Sequence, residues 1–284
     1  CIKGRFKKKF NIQQKVKLKM MIKTISFIGT GKMAAALISS IYKNRLAKEI
    51  TASDHNEENL RKLKSKFDVK TTTDNKEAAR NSDVIFLCVK PQVMSMVLNE
   101  IKDEIKNQLV VSIAAGIKIK NIELILKNKR VIRVMPNINC LIGEMAGGFS
   151  AGKYATKEDI GEVSKLLNVS GIAIQVEEDL LDAVTAVSGS GPAFFAYFIK
   201  YIAEAGIKKG LKKEIAYQLA AKTALGTGKL LLEMKITPDE LIEMVASKKG
   251  TTEAGLKVLD KYKVKKILEK TVDAAYKRSK ELGK

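Results

Sequence analysis

The feature that most constrains the fold is the alternation of two hydrophobic periodicities along residues 21–135. Apolar runs rich in β-branched residues occupy 22–28, 48–53, 69–73, 83–89, 109–115 and 130–135, and segments with helical spacing lie between them. The run DVIFLCV at 83–89 is apolar at nearly every position, which is typical of a strand buried on both faces of a sheet. The alternation predicts an α/β fold built on a doubly wound parallel sheet with right-handed crossovers.

The pattern changes near residue 178. Beyond it the sequence predicts helices only, at 193–209, 213–234, 238–247, 252–262 and 264–282. Thr237, Pro238 and Glu240 mark one start clearly, with an N-cap hydroxyl, a proline at the first helical position and a glutamate at the third. We therefore predict an α/β domain at 21–177 and an all-α domain at 178–284.

The first 20 residues contribute +8 to the net charge of +21. Residues 1–20 carry eight Lys or Arg and no acid, and we predict that they form a disordered basic extension. The other lysines alternate with acids on predicted helices, which indicates solvated faces, and the chain has no Trp for base stacking. We expect no nucleic acid as a partner and, without an apolar run of about 20 residues, no membrane either.

The few cysteines and the single histidine limit the metal sites that the chain can form. Cys1, Cys88 and Cys140 match no metal-ligand spacing, and the single histidine, His55, excludes a multi-histidine metal site. We predict no metal site and a reducing, cytoplasmic location.

The segment GTGKMA follows the first predicted strand and opens the first predicted helix. Gly29 allows a tight turn, Gly31 lets backbone N–H groups approach a pyrophosphate, and Ala34 is small enough for the helix to pack on the strand. The helix N-terminus attracts the anion through its unpaired N–H groups and its dipole. This context predicts a dinucleotide site in a Rossmann-like domain.

Residues after two further strands bear on the same site. Asp54 ends the second strand, where an acid accepts hydrogen bonds from the adenosine ribose and favours NAD. Ser53 and His55 could instead contact a 2′-phosphate, so the sequence leaves the phosphate state of the cofactor open. Lys90 follows the fourth strand, at the edge of the sheet where ligands bind.

A second glycine-rich segment, SGSGP at 188–192, joins two helical stretches. We predict a helix–loop–helix joint that serves either a substrate anion or a structural hinge. The apolar helix after it, with a ridge at Phe194, Phe198 and Ile202, is interpreted as core and dimer interface.

These segments together resemble one family. EDLLDAVTAVSGSGP at 178–192, ASKKGTTEAGL at 246–256, IGTGKM at 28–33 and RVIRVMPN at 130–137 are similar to pyrroline-5-carboxylate reductase, and the resemblance extends over 21–284. It implies hydride transfer from NADPH, with NADH as the alternative, to the imine of 1-pyrroline-5-carboxylate, which gives L-proline. It also implies a dimer formed through the helical domain, assembled in some members into decamers.

The resemblance implies roles for individual residues. The cofactor-binding residues would be Gly29, Thr30, Gly31, Lys32, Met33, Ser53, Asn75, Val89, Lys90 and Ala115. The substrate-binding residues would be Glu178, Ser188, Gly250, Thr251 and Thr252. Thr252 would be the catalytic residue, at the end of a loop that receives the carboxylate or the ring nitrogen.

The chain departs from the family at one loop, where SKKGTT at 247–252 replaces the common SPGGTT. If position 249 requires a positive φ, lysine costs roughly 1 kcal/mol there. Two alternatives follow for function: another imine or β-hydroxyacid reductase with the same two domains, or a non-catalytic dinucleotide-binding homologue.

Overall fold

The computed structural model describes residues 23–283, so the predicted extension at 1–20 lies outside the described residues. Its centre is one eight-stranded sheet in the order β3-β2-β1-β4-β5-β6-β7-β8. All neighbouring strands are parallel except β6 and β7. The strands are β1 Lys23–Ile28, β2 Ala47–Ser53, β3 Lys70–Thr72, β4 Val84–Leu87, β5 Leu109–Ser112, β6 Arg130–Met135, β7 Met145–Ala151 and β8 Gly171–Gln175.

Helices cover the sheet and continue beyond it. They are α1 Lys32–Lys43, α2 Glu57–Lys64, α3 Asn75–Arg80, α4 Met94–Ile101, α5 Ile119–Leu126, α6 Lys157–Asn168, α7 Leu181–Val184, α8 Gly191–Ile207, α9 Lys213–Met234, α10 Pro238–Val245, α11 Thr251–Lys261 and α12 Val264–Leu282. The mainly parallel sheet with helices on both faces, followed by a helical region, confirms the predicted fold class.

Two hydrophobic cores lie on the two faces of the sheet. Successive residues of a strand point to opposite faces, so Phe27 belongs to the core under α1, α2 and α6, and Ile28 to the core under α3, α4 and α5. The rings of Phe27 and Phe86 stack with centroids 4.7 Å apart, which ties β1 to β4 at the centre of the sheet. The β1–β4 junction, where the site is predicted, therefore rests on the rigid middle of the domain.

The last two strands were not predicted. β7 has the sequence MAGGFSA, whose small residues and paired glycines lack strand propensity. β8 begins at Gly171 with a φ of 143°, and a Cβ there would clash with the Met145 carbonyl oxygen. Close approach between the two strands forms this edge, and the alternating Ile172 and Ile174 of β8 were the available signal for a strand.

The helical region is not separated cleanly from the sheet. α12 returns to the α/β part, where the Leu282 carbonyl oxygen would lie 2.7 Å from a Cβ placed on Gly116. The Ser279 hydroxyl also donates to Asp182 Oδ1 at 2.6 Å, and both residues are buried. The domain boundary at residue 178 stays a prediction.

The predicted loop at SGSGP is wrong. Thr185–Gly189 is a π-helical turn that continues α7 into α8, and Ser190 has helical φ and ψ and caps nothing. Gly189 lies so close to β6 that a Cβ there would be 2.8 Å from Met135 Cε. The glycine thus permits helix-on-strand contact rather than a turn of the chain, and π turns of this kind are frequent at functional sites.

The core part of the interpretation of α8 is wrong within this chain, whereas its role in a dimer interface stays a prediction. Only Gly191 and Ala203 of α8 are buried, and Phe195, Tyr197 and Ile202 are exposed. An apolar helix with so much exposed surface requires a covering element, and α9 covers only part of it.

Candidate dinucleotide and substrate site

The carboxyl ends of β1 and β4 meet at the topological switch point of the sheet, where ligands of such folds bind. Gly29 forms the turn after β1 with a φ of 89°, and its N–H donates to the Ser53 carbonyl oxygen at 2.8 Å. A Cβ on Gly29 would lie 2.8 Å from the Cys88 carbonyl oxygen. Glycine is therefore required here both by the backbone conformation and by the neighbouring strand.

Gly31 has a different environment, which fits a bound pyrophosphate. Its φ of −64° is open to any residue, and no atom lies within 4 Å of the position of a Cβ. No side chain caps α1, and the first turn contains no acid, so its first N–H groups face outward unopposed. The helix N-terminus thus presents donors beside an open space, which is the arrangement that binds phosphate groups.

Asp54 fixes the glycine turn from the end of β2. Its Oδ2 accepts hydrogen bonds from the Thr30 N–H at 2.7 Å and the Thr30 hydroxyl at 2.6 Å, and its Oδ1 accepts one from the Asn56 N–H at 2.9 Å. Partial burial raises the pKa of Asp54, but the hydrogen bonds from Thr30 and Asn56 together outweigh it and leave the pKa below its ordinary value. The carboxylate is therefore ionised at neutral pH.

Ser53 and Asn75 lie beneath the turn, not at its surface. Both are buried, and the Ser53 hydroxyl donates to Asn75 Oδ1 at 2.7 Å. Asn75 Nδ2 donates in turn to Glu100 Oε2 at 2.9 Å. This buried chain links β2, α3 and α4 below the proposed adenosine end of the site.

The remaining predicted cofactor residues follow the carboxyl ends of the neighbouring strands. Val89 and Lys90 come after β4, with Lys90 exposed, and the exposed Ala115 comes after β5. Because β1 to β5 are parallel neighbours, the structure brings all ten predicted cofactor residues to the same edge of the sheet. Their roles as ligands stay predictions.

Glu178, predicted as a substrate residue, is engaged within the chain. Its Oε1 accepts from the Ile119 N–H at 2.7 Å, at the start of α5, and from Arg133 Nη1 at 3.1 Å. Arg133 lies on β6 and is only 3% exposed. Sequence analysis did not single out Arg133, although a lone arginine inside the apolar strand RVIRVM was a signal for a buried partner.

Asn137 is a second residue that sequence analysis missed. It is buried, its Nδ2 donates to the Ser188 carbonyl oxygen at 3.1 Å, and its Oδ1 accepts from the Ala146 N–H at 3.1 Å. It therefore fastens the π-helical turn that carries Ser188 to the end of β6. The Ser188 hydroxyl itself donates to the Val184 carbonyl oxygen at 3.0 Å.

Gly250, Thr251 and Thr252 lie at the start of α11, which packs against α12. Lys249 before them has a φ of 61°, which is the condition under which lysine is unfavourable at this position. The hydrogen bonds described for this loop stay within it: the Gly250 N–H donates to the Ser247 carbonyl oxygen, and the Lys249 N–H to Glu253. No hydrogen bond described for residues 23–283 joins the loop to Glu178 or to the glycine turn.

The described residues lack two further features. Residues 23–283 hold no group of three His, Cys, Asp or Glu side chains that could bind a metal ion. No helix in this part of the chain is long and apolar enough to cross a membrane.

The fold and the glycine turn define a dinucleotide-binding protein of the Rossmann type, and the comparisons with known proteins make it an oxidoreductase. Residues 24–116 match the family described as "NADP oxidoreductase coenzyme F420-dependent", and residues 178–282 match "Pyrroline-5-carboxylate reductase dimerisation". A pyrroline-5-carboxylate reductase of Methanosarcina acetivorans is 42% identical over 264 residues, which are 92% of this chain and 98% of the relative. The chain belongs to the pyrroline-5-carboxylate reductase family.

Solved structures agree with the sequence comparison. The pyrroline-5-carboxylate reductase of Coxiella burnetii superposes with a TM-score of 0.88 at 34% identity, and covers 92% of this chain and 99% of its own. The pyrroline carboxylate reductase of Plasmodium falciparum, solved with NADP bound, gives a TM-score of 0.83 at 29% identity, and covers 92% and 98%.

Proposed function

We propose that this chain reduces the imine of 1-pyrroline-5-carboxylate to L-proline with a reduced nicotinamide dinucleotide, the last step of proline biosynthesis. The observation that carries the proposal is the glycine turn at the β1–β4 switch point, with open space beside Gly31 and an uncapped helix N-terminus. The glycine turn belongs to a chain that aligns over nearly its whole length with named reductases of this substrate.

The chemistry needs little from the protein besides binding and orientation. When bound, the nicotinamide supplies a hydride to the imine carbon, and the nitrogen keeps its proton in the product amine. A protonated imine is already electrophilic, so the chain's residues have to hold donor and acceptor about 3–3.5 Å apart, bind the carboxylate and exclude water. Thr252, with the N–H groups at the start of α11, is proposed to receive the carboxylate or the ring nitrogen.

The proposed substrate residues form two groups in the single chain. Glu178 and Ser188 lie on the β6–β7 side of the sheet, and Gly250, Thr251 and Thr252 lie at the start of α11. We propose that a homodimer completes the site, with the start of α11 supplied across the interface. Two observations support this dimer: residues 178–282 match a dimerisation family, and the apolar face of α8 is exposed. We also propose that dimers assemble further into a decamer.

The choice between NADPH and NADH is also a proposal. The family resemblance predicted NADPH, with NADH as the alternative, and the Plasmodium relative was solved with NADP bound, whereas the acid at the end of β2 in this chain favours NADH. We also propose a cytoplasmic location, because Cys88 and Cys140 are free thiols. Burial raises the pKa of both, so they stay protonated at neutral pH.

The test is oxidation of NADPH and NADH by the purified protein in the presence of 1-pyrroline-5-carboxylate, followed by the absorbance of the reduced nicotinamide. Turnover that depends on the imine, with L-proline as product, is the expected result. Dinucleotide binding without turnover of this imine would contradict the proposal. In that case turnover of another imine or a β-hydroxyacid would support a different reductase, and no turnover of either would support a non-catalytic homologue.

A further inference from the structure

We propose that Asp54 makes this chain select NADH over NADPH, because its carboxylate faces the position of the 2′-phosphate without a compensating cation. The inference rests on the proposed function only in taking a nicotinamide dinucleotide as the ligand. It reverses the order of preference predicted from the sequence.

Asp54 lies where the second strand of a dinucleotide fold ends, and an acid at this place contacts the adenosine ribose hydroxyls. The two hydrogen bonds from Thr30 hold its carboxylate against the glycine turn, so the negative charge is fixed beside the proposed cofactor site. No Lys or Arg among residues 23–283 forms an ion pair with Asp54, and hydrogen bonds alone stabilise its charged form.

The two hydroxyl groups near the ribose are already engaged. The Ser53 hydroxyl, which the sequence suggested as a phosphate ligand, is buried and donates to Asn75. The Thr30 hydroxyl donates to Asp54. The Asn56 side-chain oxygen accepts from the Glu58 and Asn59 N–H groups and so caps α2. Neither hydroxyl is left to donate to a 2′-phosphate, so the exposed His55 ring and the Asn56 side-chain N–H groups are the donors that remain at this place.

The local charge has the wrong sign for a phosphate. The segment SDHNEE at 53–58 contains three acids and neither Lys nor Arg, whereas sites that accept a 2′-phosphate use a nearby arginine. On α2, Lys62 forms an ion pair with Glu58, and Arg61 before it is exposed. The ribose end of the site is therefore acidic, although the whole chain is basic.

The expected size of the effect follows from Coulomb's law. Two unit charges of like sign about 4 Å apart weaken binding by roughly fivefold even at the dielectric constant of water, and a 2′-phosphate that carries nearly two charges weakens it further. We expect NADPH to bind about tenfold more weakly than NADH at low ionic strength. The difference should shrink as added salt screens the pair.

The test is direct binding, independent of turnover. Dissociation constants of NADH and NADPH are measured by calorimetry for the wild-type protein and for Asp54→Asn, which removes the charge and keeps an oxygen to accept from Thr30. Adenosine 2′,5′-bisphosphate and 5′-AMP serve as probes of the ribose end alone. We expect Asp54→Asn to tighten NADPH and the bisphosphate about tenfold, with NADH and 5′-AMP changed less than threefold.

Asp68→Asn is the matched control. Asp68 is an exposed aspartate that precedes the amino end of β3, whereas the proposed cofactor residues lie at the carboxyl ends of the strands. It should leave all four dissociation constants unchanged. Thr30→Val removes one hydrogen bond to Asp54, and it should weaken NADH and NADPH together.

Three results would overturn the inference. The first is tighter binding of NADPH than of NADH to the wild-type protein. The second is an equal change of both dissociation constants in Asp54→Asn. The third is a loss of NADPH binding alone in Arg61→Gln, which would show that a cation holds the phosphate. Absence of imine turnover would contradict the proposed function and leave these binding results valid.

Discussion

The two glycines of the GTG turn are glycines for different reasons. Gly29 has a φ of 89° and would bring a Cβ to 2.8 Å from the Cys88 carbonyl oxygen, so the fold itself requires it. Gly31 has an ordinary φ and open space around it, so only a ligand would meet a side chain there. One motif in the sequence thus combines a structural requirement with a binding requirement.

This difference gives a paired prediction for alanine substitutions. Gly29→Ala should lower the free energy of unfolding by about 2 kcal/mol, because it adds backbone strain and a contact with β4. Gly31→Ala should change it by less than about 0.5 kcal/mol and weaken dinucleotide binding at least about tenfold, because its methyl group occupies the space for the pyrophosphate. Urea unfolding and calorimetric titration measure the two effects. Equal losses of stability in both variants would contradict the assignment.

Lys249 shows how a family departure is accommodated. Its φ of 61° is a conformation that glycine adopts freely and lysine only at a cost. The sequence predicted that cost conditionally, and the structure meets the condition.

We expect Lys249→Gly to raise the free energy of unfolding by roughly 0.5–1 kcal/mol, because relief of the strained conformation exceeds the added flexibility of the unfolded chain. Lys248→Gly is the control: Lys248 does not have a positive φ, so glycine there should destabilise by about 0.5 kcal/mol. Urea unfolding of the two variants measures the difference. A shift of the same sign in both would mean that the loop is not strained at position 249.

At the scale of elements, local sequence predicted some helices to the residue and others poorly. The helices at 213–234 and 264–282 begin and end where predicted. The capping box at Thr237 and Glu240 is also present, with the Glu240 N–H donating to the Thr237 hydroxyl at 3.2 Å. These signals are local, whereas the π-helical turn at Thr185–Gly189 depends on contact with β6 and cannot be read from spacing.

Glu178 joins α5 to β6 through the Ile119 N–H and the buried Arg133. Removal of either charged partner should cost a different amount of stability. Glu178→Ala leaves Arg133, which is 3% exposed, without a charged partner, and leaves the first N–H of α5 without its acceptor. We expect a loss of about 3 kcal/mol. Arg133→Met leaves a glutamate whose side chain is 26% exposed and still bonded to Ile119, so we expect a loss of about 1 kcal/mol.

Urea unfolding of the two variants measures this asymmetry. Stability is the appropriate measurement because Glu178 is also a proposed substrate residue, so activity would fall in either case. A larger loss in Arg133→Met than in Glu178→Ala would contradict the view that the buried arginine is the costlier partner to leave unpaired.

At the scale of the whole molecule, the α/β part has two complete cores and the helical region has almost none. Many large apolar side chains of α8 to α11 are exposed, among them Phe195, Tyr197, Leu232 and Val258. A surface of this kind is typical of an obligate interface, where two chains share one core.

Phe195→Glu tests that interface. Phe195 is 67% exposed in the single chain, and we expect the charge to dissociate the assembly into monomers in analytical ultracentrifugation. The monomer should retain dinucleotide binding, because all ten proposed cofactor residues lie in one chain, and should lose turnover of the imine. Leu124→Glu is the control, since Leu124 lies on α5 of the α/β part and is 76% exposed. Monomers in both variants, or in neither, would argue against the proposed interface.

The α/β class, six of the eight strands, the glycine turn and the family follow from the amino-acid sequence, because hydrophobic period, capping residues and turn glycines act over a few residues. Four other features became visible in the folded chain: Asp54 bonds Thr30, Ser53 is buried against Asn75, Arg133 pairs with Glu178, and β7 and β8 extend the sheet. Each of these contacts joins residues on separate elements, at least 22 positions apart for the side-chain pairs. Their geometry depends on how the elements pack, which no local pattern in the sequence specifies.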